Sequence, residues 1–240
     1  MINLTLPGAS VVFTDRHGGV SRGPYASANL ADHVGDAPDA VGENRRRVAA
    51  TVVDLPSDPA CWVWLAQEHG ATVAVVDGGT VEPPVADAAV SARPGLALVV
   101  LTADCAPIAL ASSHGAGVVH AGWRGLERGV VGRAVAALRA LGDGPIRAAL
   151  GPCIRPERYE FGAEPRARLV ERFGSDVAGQ TLDGRPALDL PAAVRCALRE
   201  VGVDELHDVG ICTAASGDHF SHRRDGVTGR QAAVVVVRER

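Results

Sequence analysis

The chain contains no lysine: all 24 of its basic residues are arginine. That excludes Schiff-base chemistry on a lysine and any P-loop, whose lysine must reach the phosphates. An anion held by this protein is held by guanidinium groups, whose planar fork suits phosphate or carboxylate. Aromatic residues are scarce, 4% of 240, so Val, Ala and Leu must fill the large core that a 47% hydrophobic composition permits. The longest apolar runs, around Leu96–Leu101 and Ala232–Val237, are too short for a membrane helix. Met1-Ile-Asn-Leu-Thr has no charged segment followed by an apolar one, so no secretion leader is expected. Net charge is -4 and no basic run exceeds Arg45-Arg46-Arg47, which argues against a nucleic-acid binder. Five scattered cysteines, an odd number, suggest reduced thiols and a cytoplasmic setting.

What is present centres on residues 96–125. An apolar run leads into Asp104-Cys105, a second run (Ala106 to Ala111) leaves it, and a turn at Ser113-His114-Gly115 precedes a third that stops at His120. Read as strands, these put Cys105 at a strand junction and His120 at a strand end. Upstream, a strand over Val11–Thr14 enters a glycine-rich segment from Asp15 to Asp36 that has no period and reads as a binding loop. Asp36 is predicted to cap a helix reaching Val53. Cys61–Leu65 reads as a strand delivering Gln67-Glu-His-Gly70, and Thr72–Asp77 as another, closed by Gly78-Gly79. Pro83 to Pro94 reads as a surface loop with one short ordered piece. Helices are predicted over 126–141, 164–173 and 191–201, with strands over 147–150, 209–213 and 232–237. Strands outnumber helices without strict alternation, so a mixed-sheet α/β or α+β architecture is expected, with residues 1–240 forming one domain.

His69, Cys105 and His120 each stand at a strand end beside glycine or a small residue. Two imidazoles and a thiolate form a soft set suited to Zn²⁺, and three ligands leave a tetrahedral corner for water or substrate, as in a catalytic site. Their spacing matches no local zinc motif. The same residues also read as a nucleophile, Cys105, with His120 or His69 as base and Asp104 as orienter. Against that, neighbours in a regular strand point to opposite faces, so Asp104 should not reach the partner of Cys105. The plainest alternative is a buried thiol with ordinary histidines. Arg16, Arg45, Arg124, Arg223, Arg224 and Arg230 lie near glycines or on the first helix, and two or three meeting at the metal would make an anion site. Cys61, Cys153, Cys196 and Cys212 read as buried cysteines, with Cys153 and Cys212 as candidates for a pocket wall. Trp123 reads as a packing residue.

Taken together the motifs resemble one family. Phe13-Thr-Asp-Arg-His-Gly-Gly-Val-Ser21, Asn29-Leu with His33-Val-Gly-Asp36, Glu43-Asn-Arg45, Gln67-Glu-His-Gly70 and Thr102-Ala-Asp-Cys-Ala-Pro107 occur in order. They are followed by His120-Ala-Gly-Trp-Arg-Gly125, Gly151-Pro-Cys-Ile154, Tyr159-Glu160 and Phe220-Ser-His-Arg-Arg224 with Gly229-Arg230. Nearly the whole chain thus resembles the YfiH family, also called the laccase-domain or polyphenol oxidase family. The resemblance implies one α/β domain of packed mixed sheets flanked by helices, and a zinc site made by His69, Cys105 and His120. It also implies phosphorolysis of purine nucleosides (adenosine, inosine, guanosine and methylthioadenosine), with adenosine deamination alongside. Arg16, Arg45 and Arg124 are the arginines singled out for phosphate. Glu68 and His222 depart from the family pattern and bear on substrate preference. The partners expected are purine nucleosides and phosphate, with no nucleic acid and no membrane, and the chain as monomer or homodimer. Two other readings stand beside this one: a hydrolase using Cys105, and a copper-dependent polyphenol oxidase with Cu²⁺ on the same ligands. A multicopper laccase needs about ten histidines, largely in His-x-His pairs. This chain has eight and no such pair.

Overall fold

A computed structural model describes residues 1–51, 54–78 and 82–239. The last strand, β13 (Gln231–Val237), is buried on both faces, which is why its sequence is continuously apolar rather than alternating. It lies at the centre of a five-stranded sheet ordered β1 (Ile2–Leu6), β2 (Ala9–Phe13), β13, β6 (Ala97–Thr102), β3 (Val63–Trp64). Its Val234 and Val236 pack outward with Val12 and Val99 against Val48 and Ala49 of helix α1 (Pro38–Thr51). Its Ala233, Val235 and Val237 pack inward against a second sheet.

That second sheet has six strands in the order β12 (Leu206–Asp208), β9 (Arg147–Leu150), β7 (Ala106–Ser112), β8 (Gly115–Ala121), β5 (Ala88–Ser91), β4 (Val73–Val75). Toward the first sheet it presents mostly small residues, Ala89, Ala109, Ala111, Ala116, Val118 and Ala149. Its outer face, with Val90, Ile108, Leu110 and Val119, is covered by helices. These are α2 (Trp123–Glu127), α3 (Val130–Arg139), α4 (Ala163–Phe173) and α5 (Leu190–Arg199). A strand pair, β10 (Ala178–Gln180) with β11 (Pro186–Leu188), and a short helix α6 (His222–Asp225) complete the described strands and α-helices. The expected mixed-sheet α/β architecture is therefore present, as two facing sheets with helices outside.

Two connections between the sheets matter for the site. β3 and β6 run parallel in the first sheet, with Val63 opposite Leu98 and Trp64 opposite Val99. The chain leaves β3 toward β4, and β6 toward β7, so both connections pass from the first sheet to the second. His69 lies on one crossing and Cys105 on the other.

Several expectations need correction. The helix predicted over 126–141 is two helices, because Gly129 between them adopts φ +81°, a left-handed conformation that interrupts an α-helix. The loop predicted at 83–94 contains β5, which is wholly buried and pairs with both β4 and β8. The late strand is Leu206–Asp208, parallel to β9, rather than 209–213, although Cys212 forms an isolated bridge with Cys153. Asp36 does not act as expected of a cap: it accepts from Ser21, Asn29 and the adjacent Ala37 amide, and the helix starts at Pro38. Cys61 is exposed in a one-turn 3-10 helix, and only Val63–Trp64 of its predicted strand pairs. Val53 and Gly79, named as ends of predicted elements, lie outside the described residues.

Candidate metal centre

Cys105 closes a three-residue turn, Ala103-Asp104-Cys105, between β6 and β7. Asp104 holds that turn in an uncommon backbone state, φ +105°. Its carboxylate accepts from Thr213 Oγ1 at 2.6 Å and from the Arg223 amide at 2.6 Å, while its carbonyl accepts from the Ile154 amide at 2.9 Å. The turn is thereby fixed from three distant segments, and the Cys105 sulfur is left on the other side. Asp104 orients neither histidine, and the reason is this turn, not the strand alternation expected from the sequence, since neither Asp104 nor Cys105 lies in a strand.

Asp87 does. It is buried, immediately before β5, and its Oδ1 accepts from His120 Nδ1 at 2.7 Å. The same carboxylate accepts from three consecutive amides, Glu68 at 3.3 Å, His69 at 3.0 Å and Gly70 at 2.6 Å. Its own carbonyl accepts from the His120 amide at 2.7 Å. One anion in a nest of amides thus sets both the His120 ring and the His69 loop, where His69 itself adopts φ +57°. Gln67 ties the start of that loop to β6, its side-chain amide pairing with both the N–H and the carbonyl of Leu101. Asp87 was not singled out from sequence. Its only local signal is an aspartate inside the small apolar run Val85-Ala-Asp-Ala-Ala-Val90.

The three predicted ligands meet. Their ligand atoms lie within 4.8 Å of one another, the one such group of this kind among the described residues. Cys105 Sγ is 3.7 Å from His69 Nε2, and the two imidazoles stand edge to face with centroids 4.7 Å apart. Bond lengths of about 2.1 Å to nitrogen and about 2.3 Å to sulfur at a tetrahedral angle require a separation of roughly 3.6 Å. The Cys105–His69 pair therefore stands at the spacing one metal ion needs, and the third donor lies within 4.8 Å of both. With Nδ1 of His120 committed to Asp87, its Nε2 is the nitrogen left for the metal, the usual arrangement of a carboxylate-supported histidine ligand. Gly122 makes room: a Cβ there would lie 3.0 Å from His69 Cδ2 and 3.1 Å from Cys105 Sγ.

Electrostatics favour a thiolate here. Burial pushes the Cys105 thiol up, but the charge and hydrogen bonding of His120, with help from His69, outweigh it and bring the pKa down to about 6. His120 moves oppositely: burial disfavours its charge, yet the Cys105 sulfur and the Asp87 carboxylate raise it to about 9. Burial opposes ionisation of Asp87 too, and the bonds from His120 and Gly70 still hold its carboxyl below the ordinary value. Cys153, by contrast, is raised by burial and lines no part of this site.

The ligands open onto a cavity of roughly 390 Å³, and its rim carries Arg124, Arg223 and Arg230. Among the described residues none of the three has a carboxylate partner within ion-pair distance. Arg124 lies over Trp123 at 4.3 Å, Arg223 over Tyr159 at 4.7 Å, and Arg230 donates to the carbonyls of Thr228 and Gly229. The other two arginines named from sequence do not line it. Arg16 donates to the Ala26 carbonyl and lies over Phe220; Arg45 donates to Leu30 and Asp32 and lies over Trp64 at 3.9 Å. The expected binding loop reaches the cavity only through His33. Most of its polar groups turn inward, where Asn44 bonds Val20, Ser21, Ser27 and Asn29, and Asn29 holds the Arg230 amide. Trp123 packs against Phe161 as expected but also lines the cavity, as do Tyr159 and His222.

Known proteins resemble this chain over most of its length. The family model described as multi-copper polyphenol oxidoreductase laccase matches residues 10–238. A Streptomyces griseus protein named purine nucleoside phosphorylase ORF3 is 48% identical, over 95% of this chain and 94% of its own. The Shigella flexneri purine nucleoside phosphorylase YfiH is 40% identical, over 95% of this chain and 93% of its own. Among solved structures, YlmD from Geobacillus stearothermophilus superposes with a TM-score of 0.88 at 33% identity, covering 97% of this chain and 93% of that one. By matching that family model over nearly its whole length, and by its likeness to these relatives, the chain belongs to the YfiH, or laccase-domain, family.

Proposed function

We propose that this protein is a zinc-dependent purine nucleoside phosphorylase that also deaminates adenosine, with residues 1–240 acting as one catalytic unit in the cytoplasm. The observation that carries the reading is the convergence of a His–Cys–His donor set with three unneutralised guanidinium groups on one cavity. The relatives named purine nucleoside phosphorylase support the substrate class. The soft donor set favours zinc, and the same three ligands also suit a single Cu²⁺.

A metal held by His69, Cys105 and His120 supplies a Lewis acid and lowers the pKa of water. The chain's own groups do the rest. Arg124, Arg223 and Arg230 hold inorganic phosphate and offset the charge it brings toward C1′ of the ribose. Arg16 and Arg45 serve the scaffold instead, Arg45 by fixing the strand of loop that ends at His33. Trp123 and Tyr159 form an aromatic wall for the base, while Asp87 keeps His120 in the protonation state and orientation its ligand role requires.

A second reading has one specific observation behind it. Cys105, His120 and Asp87 stand in the order nucleophile, base, orienter, with a thiol titrating at about 6. The readings separate on chelation, which should abolish phosphorolysis and leave a thiol-dependent hydrolase intact. The deciding experiment is release of hypoxanthine from inosine by protein of measured metal content, with and without phosphate. Zinc-loaded protein that releases no base in either condition, while copper-loaded protein oxidises a phenol, would reverse the assignment.

A further inference from the structure

We propose that Tyr159 is a catalytic residue whose phenol donates a hydrogen bond to N7 of the departing purine. The proposal rests on the phosphorylase reading above. Tyr159 lines the same cavity as Cys105, Trp123 and the arginines. Its ring is held from two sides, by the Arg223 guanidinium 4.7 Å above its centroid and by Phe161 at 5.2 Å. Arg223 is itself fixed, its amide donating to Asp104 at 2.6 Å and its Nη1 to the Glu160 carbonyl at 2.7 Å. The Tyr159 backbone is pinned at both ends, its amide to Pro156 and its carbonyl to the Leu188 amide.

Against this restraint the hydroxyl is free. Among the described residues it has no hydrogen-bond partner, and it is not sealed away: the sealed, unpartnered side-chain atoms are Thr102 Oγ1 and Arg155 Nε. A half-buried ring, held on two sides with a free donor at its tip in the cavity, is arranged for a ligand. A phenol carries its proton at neutral pH, with an ordinary pKa of about 10, so it offers a donor that adds no charge. The arginines already answer the phosphate, which leaves the purine as the acceptor. The C6 substituent and N7 share one edge of a purine, so a base placed with C6 toward the metal ligands turns N7 to the same side.

In the reaction a phosphate oxygen forms the bond to C1′, the C1′–N9 bond breaks, and its electron pair remains on the purine. The proton that hydrogenphosphate gives up is the one the neutral free base gains. The Tyr159 O–H shares its proton with N7 while the charge on the ring is greatest.

The test compares guanosine with 7-methylguanosine, whose purine is already cationic and needs no donor at N7. Tyr159→Phe keeps the ring and its contacts. Expected is a loss in kcat/KM on the order of 100-fold for guanosine and only a few-fold for 7-methylguanosine, with metal content unchanged. The ratio of the two losses does not depend on the fraction of active protein. Equal losses on both substrates, or none on guanosine, overturn the proposal. A second measurement replaces both tyrosines with the more acidic 3-fluorotyrosine; the only other one is Tyr25, whose hydroxyl donates to the Val34 carbonyl at 2.7 Å. The guanosine rate should rise and the 7-methylguanosine rate stay constant, and a guanosine rate that does not rise overturns the role. Wild-type protein that releases no guanine with phosphate removes the phosphorylase reading itself, and the phenol's role with it. Active wild type with equal losses removes only the role of Tyr159.

Discussion

Two buried aspartates flank the His69–Cys105–His120 group and do different work. Asp104 precedes Cys105 in sequence yet bonds Thr213 and the Arg223 amide, tying the β6–β7 turn to the C-terminal segment that carries two of the three rim arginines. Asp87 is eighteen positions away from Cys105 and thirty-three from His120, and it grips the His120 ring and three amides of the His69 loop. One therefore braces the side of the cavity that carries Arg223, and the other the side that carries His69 and His120. The difference teaches that a sequence neighbour need not support a site residue, and that the supporting group arrives here from a distant segment.

The largest effect should come from removing a ligand, which breaks both sides at once. Cys105→Ser or His120→Ala is expected to lower phosphorolysis by on the order of 10³-fold or more, with metal lost and circular dichroism unchanged. Retained metal and activity in either variant would reject the site.

The two aspartates should then separate. Asp87→Asn is expected to weaken metal binding roughly 10–100-fold, measured by competition with a chelator. Asp104→Asn should leave metal affinity near wild type. A similar loss in both would collapse the distinction.

A smaller effect is expected from Asp104→Ala. It strands the Thr213 hydroxyl and the Arg223 amide, destabilising the protein by about 1–3 kcal/mol in denaturant titration. Because Arg223 moves, the KM for phosphate should rise more than the KM for nucleoside. The opposite split would place Asp104 on the nucleoside side.

The finest test is one of pH, on metal-stripped protein. Cys105 is held at about 6, so its alkylation should rise through pH 6 and level off by neutrality, while buried Cys153 stays inert. The His120 charge that lowers Cys105 is itself supported by Asp87. Asp87→Asn should therefore move the alkylation midpoint upward, and Asp104→Asn should leave it in place. A midpoint unmoved by Asp87→Asn would show that His120 needs no help from that carboxylate.

Legibility in the sequence followed the range of the interactions involved. The strands over 97–102, 106–112, 115–121 and 231–237 are plain in the chain because β-branched and small apolar residues buried on both faces leave an unbroken run. His69, Cys105 and His120 could be picked out because each lies at, or a few residues past, the end of an apolar run, beside a residue small enough to let another chain approach. Gly122 is the clearest instance, since any Cβ there meets two of the ligands. Asp87 could not be picked out, because an aspartate before a four-residue strand has the local pattern of a loop. The phosphate candidates were mixed for the same reason. An arginine beside glycines looks alike whether it faces a cavity, as Arg124 does, or lies over Phe220, as Arg16 does.

The sequence by itself determined the chemistry available: arginine as the only basic side chain for anions, one soft donor set, and apolar runs that must become buried strands. Those depend on residue type and on periods of a few residues, which any segment carries within itself. Only the tertiary structure decided which arginines line the cavity, which carboxylate supports His120 and where Tyr159 stands. Each is a contact between segments tens of residues apart, made when two sheets pack and their crossing connections meet, and no local pattern encodes that meeting.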